Sequence, residues 1–419
     1  MKALFIRVGV EIQRASGPES ATPPNGWIPL ALAQQPAPCS FESKLPEVGT
    51  TIFTVMSAMA AEEGALNLSQ GFPDFDGPPE LLERVQHYLT HGYNQYPPMA
   101  GVQSLREAVA GKVLDLYGLP ADPETQITVT SGATEALFCA ITAVVRPGDE
   151  VILFDPAYDS YEPAVRLSGG VARHIALEPP DYDVDWDQVR RAITPRTRLV
   201  IFNTPHNPTG TVWSRTDLRC LEALALEHGF HVLSDEVYEH IIFDGQAHQS
   251  VCRFPDLWQR SFVVSSFGKT YHTTGWKIGY CVAPEDLTAE FRKIHQFVTF
   301  TSNTPVQHGL ADFLNAHPEH HLELGAFYQR KRDLFCALLE GSRFSLKPSS
   351  GTYFQLLGYE GISNERDSEL AVRLTREAKI ASIPVSIFYA DGADHKMLRF
   401  CFCKDDRTLR QGAEILLKV

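Results

Sequence analysis

Between about residues 127 and 282 the chain alternates short, apolar, β-branched runs with helical stretches, and this rhythm limits the fold more than any other feature. Residues 127–130, 151–154, 198–202, 231–234, 261–265 and 277–282 read as strands. Residues 134–145, closed by Arg146-Pro147-Gly148-Asp149, and residues 218–227 read as helices. The run 198–202 is apolar nearly throughout, the pattern of a strand buried on both faces. Such a succession predicts an α/β fold: a mostly parallel, doubly wound central sheet with helices on both faces. From about Pro305 the pattern changes to a long charged helix over 319–340, short strands at 352–357 and 397–403, and helices at 368–378 and 408–417. That reads as a smaller α+β domain. The expected division is a flexible Pro-, Ala-, Ser- and Gln-rich extension over 1–42, an N-terminal arm over 43–75 that joins the small domain, a large domain over 76–304, and a small C-terminal domain over 305–419.

A net charge of -14 argues against a nucleic acid partner, because phosphate backbones are held by basic patches. It leaves room for a small anion in a local pocket. The cysteines are scattered without a C-x-x-C, and Cys401-Phe402-Cys403 alternates as a buried strand would. Reduced, structural cysteines fit a cytoplasmic setting. His317, His320 and His321 flank Pro318 and Glu319 with no cysteine or second histidine pair beside them; a solvated helix start is expected, and no metal. No apolar run reaches the length of a membrane span, and Arg7 and Glu11 interrupt the weakly signal-like N-terminus.

Five segments carry chemistry. Lys269, in Ser265-Ser266-Phe267-Gly268-Lys269-Thr270, follows an apolar strand, with Lys277 soon after. An amine delivered to a strand end between a hydroxyl and a second cation suits a Schiff base with a phosphate-bearing aldehyde. Ser131-Gly132-Ala133-Thr134 joins a strand to a helix, where small residues and free N–H groups can cradle an oxyanion. Asn203-Thr204-Pro205-His206-Asn207-Pro208 is a proline-stiffened loop that can aim the Asn207 amide at a phenolate oxygen. Asp235, in Ser234-Asp235-Glu236-Val237-Tyr238, would keep a pyridine nitrogen protonated, with Tyr238 beside Asn207. Arg399 lies inside an apolar strand and needs an anion, which its planar fork can take bidentately. The competing readings are a solvated lysine, an ordinary βα turn, a Pro/Asn turn, a helix N-cap and a structural ion pair.

Together, Asn207-Pro208, the Ser234–Tyr238 segment, Ser266-x-x-Lys269 and Arg399 resemble the motifs of the fold-type-I, pyridoxal-phosphate-dependent class I/II aminotransferases, from about Ser43 to the C-terminus. Leu68-Ser69-Gln70-Gly71-Phe72-Pro73-Asp74-Phe75, Asn94-Gln95-Tyr96 and the segment from Ser265 to His272 resemble the kynurenine and glutamine transaminase branch. Within it the chain is similar to bacterial methionine aminotransferases. The resemblance implies pyridoxal 5'-phosphate as cofactor, with Lys269, Asp235 and Tyr238 as catalytic residues. Gly132, Ala133, Thr134, Ser266 and Lys277 would hold the phosphate, and Tyr158 would stack on the ring. Asp235 would pair with the ring nitrogen, and Asn207 and Tyr238 with the phenolic oxygen. Arg399 and Asn207 would grip the substrate carboxylate, with the Gly71 backbone beside it. Tyr96 would reach the phosphate of a neighbouring subunit, which implies a homodimer with shared sites.

The implied activity is ping-pong transamination of an apolar or aromatic L-amino acid, methionine favoured, with a 2-oxo acid. No second arginine occupies a dicarboxylate-binding motif, and Ile52-Phe53, Phe72 and Phe300 are expected to line an apolar pocket. The alternatives are a kynurenine/glutamine transaminase with cysteine-S-conjugate β-lyase activity and a pyridoxal-phosphate-binding regulator. The residues before Ser43 are too few and too irregular for the DNA-binding module a regulator would carry.

Overall fold

A seven-stranded sheet lies at the centre of the computed structural model, which describes residues 42–419. The extension expected over 1–42 falls, but for its last residue, outside the described residues. The strands are β1 (Ile127–Thr130), β2 (Glu150–Asp155), β3 (Val171–Ala176), β4 (Thr197–Asn203), β5 (His231–Asp235), β6 (Ser261–Ser266) and β7 (Gly279–Val282). Their spatial order is β1-β7-β6-β5-β4-β2-β3. Pairing is parallel except on the two sides of β7, which runs against both β1 and β6.

The helices that bear on the site are α1 (Ile52–Glu62), α2 (Gln103–Tyr117), α3 (Gly132–Val144), α4 (Glu285–Val298) and α5 (Pro318–Leu338). Successive side chains of a strand point to opposite faces. In β4, Val200 and Phe202 join a core with Leu105 and Val109 of α2, while Leu199 and Ile201 join another with Leu137 and Ile141 of α3. Both faces are covered, so both sets of positions are apolar. The predicted strand at 277–282 begins at Gly279 instead. Lys277 has a left-handed backbone, φ +55°, which ends the turn Thr274–Trp276 and re-aims the chain into β7.

Past residue 350, β8 (Phe354–Gly358), β9 (Ile383–Pro384) and β10 (Met397–Cys401) form an antiparallel sheet in the order β9-β10-β8. The segment Leu66–Asn67 pairs parallel with Ile380–Ala381, and the Cys401 N–H donates to Leu68 O at 2.8 Å. A strap over 66–72 is thereby fixed along β10. The start of α5 corrects an expectation. His320 Nε2–H donates to Thr270 O at 3.0 Å, and His321 is buried against the His240 ring. These histidines dock the helix on the chain that carries Lys269, where a solvated helix start was expected.

Candidate active site

The C-terminal ends of the parallel strands converge on a cavity of about 310 Å³. This is where open α/β sheets bind ligands. β1 leads into Gly132, Ala133 and Thr134; β2 leads to Tyr158; β4 ends at Asn203, ahead of Asn207; β5 ends at Asp235, ahead of Tyr238; β6 ends at Ser266, ahead of Lys269. Because β7 is reversed, its beginning, and with it Lys277, lies at the same end.

Lys269 Nζ–H donates to Gly71 O at 3.2 Å and lies 5.7 and 5.5 Å from the ring centroids of Tyr238 and Tyr353. Burial disfavours the ammonium, and nearby Lys277 and Arg399 act in the same direction; the pKa falls to about 8. Its neutral fraction near physiological pH is a minority but far above that of an ordinary lysine, which makes this amine a nucleophile.

Gly132 opens α3 with φ +78°, and no side chain caps the helix. The first N–H groups of α3 are therefore free for an anion. A Cβ on Gly132 would stand 3.1 Å from Lys277 Cε and 3.2 Å from its Nζ, so glycine lets the ammonium lie beside the turn. Gly279 serves the same approach: its Cβ would meet Ala133 N at 2.9 Å.

Asp235 is 4% exposed and holds only neutral donors, Tyr161 O–H at 2.6 Å and Val237 N–H at 3.2 Å. Burial raises its pKa to about 6, against the lowering effect of those two bonds and of Lys269. The Val237 bond closes a turn, and no helix follows, so Asp235 is not a helix cap. Asn203 braces the strand end, its Nδ2–H donating to Asp235 O and its Oδ1 accepting from Asn207 N–H. Tyr238 is buried edge-on to Tyr353, and burial raises its pKa.

Arg399 is 1% exposed. It donates from Nη1 to Asn207 Oδ1 at 2.7 Å and from Nη2 to Ser69 O at 2.9 Å, and its Nε is buried without a partner. Its guanidinium lies 3.9 Å from the Phe354 ring centroid and 5.3 Å from that of Phe53. Burial draws its pKa down to about 10. A buried cation bonded to neutral oxygens and sandwiched by aromatic rings is short of an anion. A carboxylate is the kind of partner its planar fork would take. The strap crosses beside it: a Cβ on Gly71 would meet Phe354 Cζ at 2.7 Å, and Gly71 O accepts from Tyr353 O–H at 2.6 Å.

The cavity thus gathers Lys269, Asp235, Tyr238, Gly132, Ala133, Thr134, Tyr158, Asn207, Ser266, Lys277, Gly71, Arg399 and Phe53. Tyr96 is elsewhere, 84% exposed, with its ring edge-on to Phe300 at 5.6 Å. Phe300 faces Tyr96, Phe72 lies against Lys404 and Ile52 packs on a hydrophobic core, so of the apolar side chains expected to line the cavity only Phe53 does. Phe354 lines it instead, and Tyr161, outside the lining, supports Asp235 from behind; neither stands in a motif. The spacing of Tyr161 three residues after Tyr158 is the one cue the sequence offers.

A βα-turn anion site, an amine of lowered pKa and a buried carboxylate without a cation are the parts that pyridoxal phosphate enzymes of fold type I assemble. The family model for aminotransferase class I and II matches residues 63–416, and the chain belongs to that family. Over 375 residues it is 55% identical to the methionine aminotransferase of Escherichia coli strain K12, spanning 90% of this chain and 97% of that protein. It is 33% identical over 413 residues to the kynurenine–oxoglutarate transaminase of Dictyostelium discoideum, spanning 88% and 94%. The solved structure of YbdL from Escherichia coli, identified with a methionine aminotransferase function, superimposes with a TM-score of 0.89 at 54% identity, over 91% of this chain and all of that one. The enzyme uses pyridoxal 5'-phosphate and moves an amino group between an amino acid and a 2-oxo acid. The residues present fit the cofactor. The Gly132 turn leaves room for a phosphate beside Lys277, and Asp235 lacks the cation that a protonated ring nitrogen supplies.

Proposed function

We propose that the preferred amino donor is methionine, taken up by a homodimer in the cytoplasm, with aromatic amino acids as slower donors. The observation that carries the donor is the composition of the cavity. Arg399 is its arginine, and no second one lines it among the described residues. Arg399 is committed to the α-carboxylate, leaving side-chain space beside Phe53 and Phe354. Burying a thioether chain there is worth about 0.8 kcal/mol per CH₂. A second carboxylate would be desolvated without a partner. The identity to the Escherichia coli methionine aminotransferase supports the same donor.

When bound, the cofactor supplies a reactive aldehyde and a protonated ring that withdraws electrons from the substrate α-carbon. Gly132, Ala133, Thr134, Ser266 and Lys277 are assigned to its phosphate, Tyr158 to its ring face, and Tyr238 and Asn207 to its phenolic oxygen. Asp235 holds the proton on the ring nitrogen, since paired opposite charges favour both charged forms. Arg399, steadied by Asn207, orients the donor by its carboxylate. Lys269 Nζ removes the α-proton and later returns one, as general base and then acid. Phe53 and the 66–72 strap exclude water from the amine. The same residues then serve the 2-oxo acid in reverse, which gives ping-pong kinetics.

The remaining assignments have their own support. Residues 76–304 enclose the seven-stranded sheet and are taken as the large domain; 305–419 enclose the three-stranded sheet, and the 43–75 arm joins it through the Leu66–Ile380 pairing. The exposed Tyr96, Phe297 and Phe300 support a second copy covering that face. Free cysteines at the described positions support a reducing, cytoplasmic setting.

The test is kcat/KM for methionine, phenylalanine, histidine, kynurenine and aspartate with one fixed 2-oxo acid. Methionine should lead, with aspartate lower by at least about tenfold, the size of one unpaired buried polar group. Aspartate ahead of methionine would overturn the pocket argument. Kynurenine in the lead, with pyruvate and ammonia released from cysteine conjugates without any oxo acid, would install the β-lyase reading.

A further inference from the structure

The anion-binding turn is gripped from behind by a chain of hydrogen bonds that no step above employs. Glu135, in the first turn of α3, folds back so that Oε2 accepts from Ser131 N–H at 2.9 Å. Its Oε1 accepts from Cys139 S–H at 3.0 Å and from Nδ1–H of His295, on α4, at 2.8 Å. On the far side of the ring, Nε2–H donates to Met99 O at 3.0 Å. The His295 side chain is fully buried.

The two ends of this chain matter. Ser131 is the residue just before Gly132, and fixing its N–H on Glu135 leaves the next N–H groups of α3 free for an anion. Met99 follows Tyr96 across two prolines. Other bonds to this segment come from residues just beyond α4, with Thr304 Oγ1–H donating to Gln95 O and Thr301 Oγ1–H to Pro98 O. His295 ties the segment to α3. Glu135, Cys139 and His295 also place three donor atoms within 4.8 Å of one another, a spacing a metal ion could use. Each donor already has a hydrogen-bond partner, which favours the network over an ion.

We propose that Glu135 and His295 are positioning residues that couple the phosphate turn of one active site to the Tyr96 segment serving the other. The inference rests on the shared-site dimer. Coupling is reciprocal: if cofactor binding tightens the dimer, dimerisation tightens cofactor binding by the same factor. Two substitutions cut the chain at different links. An asparagine amide matches the reach of Nδ1 and leaves Met99 without its donor; a glutamine amide matches the reach of Nε2 and leaves Glu135 without its donor.

The experiment measures two constants for wild type, His295→Asn and His295→Gln: the cofactor Kd, by fluorescence quenching of the apoprotein, and the dimer Kd, by sedimentation with and without pyridoxal 5'-phosphate. His295→Asn should reduce the coupling factor by about tenfold and, by reciprocity, weaken the dimer's cofactor Kd by the same factor, while the monomer's cofactor Kd (the dimer's multiplied by the coupling factor) stays at the wild-type value. His295→Gln should reduce the coupling and weaken the monomer's cofactor Kd by about tenfold as well, because the phosphate turn itself loses its support. The apoprotein melting temperature should fall to a similar extent in both, because each leaves one buried acceptor unpaired, so the monomer's cofactor Kd is what separates the two links. Wild-type coupling in both variants would overturn the proposal. So would a monomer cofactor Kd weakened equally in both variants, which marks a merely structural role, or one zinc per chain by elemental analysis. A wild-type monomer with tightly held cofactor would remove the shared-site reading itself, separately from the role of His295.

Discussion

Burial acts on Lys269, Asp235 and Arg399 in opposite chemical senses and leaves each short of something a ligand brings. Lys269 has its pKa lowered to about 8, chiefly by burial, so its amine is half neutral where an ordinary lysine is almost wholly charged. The sign follows directly. Below pH 8 the ammonium predominates and attack on the cofactor slows; above it the rate levels off. The rate of covalent attachment to the apoprotein, trapped with borohydride, should therefore reach half its maximum near pH 8 and level off about one unit higher. An unshifted lysine would keep rising toward about pH 10.4. Lys269→Ala should abolish borohydride-stable attachment, and label retained by that variant would move the nucleophile elsewhere. Asp235 and Arg399 are complementary cases, one a carboxylate without a cation and the other a cation without a carboxylate. Each was legible because its residue type is rare inside an apolar strand or at its end. Tyr161 and Phe354 were not, since an aromatic residue in an α/β sequence looks like core whether or not it touches a ligand.

At the scale of elements, the strap over 66–72 and the start of α3 are built by close approach, and glycine permits it in both. Gly71 is the sharper case, because the atoms a Cβ would meet belong to Phe354 and Tyr353, the rings beside Arg399 and Lys269. Gly71→Ala should push the strap outward at a cost of about 1–3 kcal/mol. Steady-state kinetics should then show the donor KM raised by about tenfold or more, with cofactor content per chain unchanged in the visible spectrum. A variant with wild-type KM would mean that the strap yields freely. Buried strands such as β4 and β5 were readable to within a residue or two from apolar runs alone, whereas the half-exposed edge strand β3, with its alternating polar residues, was missed. Lys277 was misplaced because a left-handed lysine leaves no compositional mark; only the demand that β7 reverse direction there explains it. The start of α5 was misread for a related reason. Histidines beside a proline look solvated until the Lys269 segment packs over them.

On the whole molecule, the seven-stranded sheet collects its chemistry at one end and leaves Tyr96 far out on the surface. In the proposed homodimer, a phenolic hydroxyl that serves the other subunit should be separable from the contact that holds that subunit. Tyr96→Phe keeps the ring and its edge contact with Phe300 while removing the hydroxyl. Sedimentation should find a dimer of unchanged mass, and fluorescence titration a cofactor affinity weakened by about tenfold, one charge-assisted hydrogen bond. Unchanged affinity would leave Tyr96 a packing residue. The fold class and the motif-bearing loops could be read from one sequence because alternation and turn chemistry are local. The pairing of Phe300 with Tyr96 and the docking of the strap join residues far apart in sequence, and no local pattern encodes them.

The reversal of β7 has a practical corollary. A parallel strand must send the chain back across the sheet before the next strand can begin, whereas β6 passes into β7 without leaving the ligand end. Ser266, Lys269 and Lys277 are consequently written on one uninterrupted stretch of peptide. Trypsin cuts after Arg260 and Lys277, and a Lys269 capped by reduced cofactor is no longer a cleavage site. Mass spectrometry of the reduced holoenzyme would therefore meet strand, nucleophile and phosphate-side lysine as a single labelled fragment, residues 261–277, missed at its centre by the protease because the chemistry has already happened there.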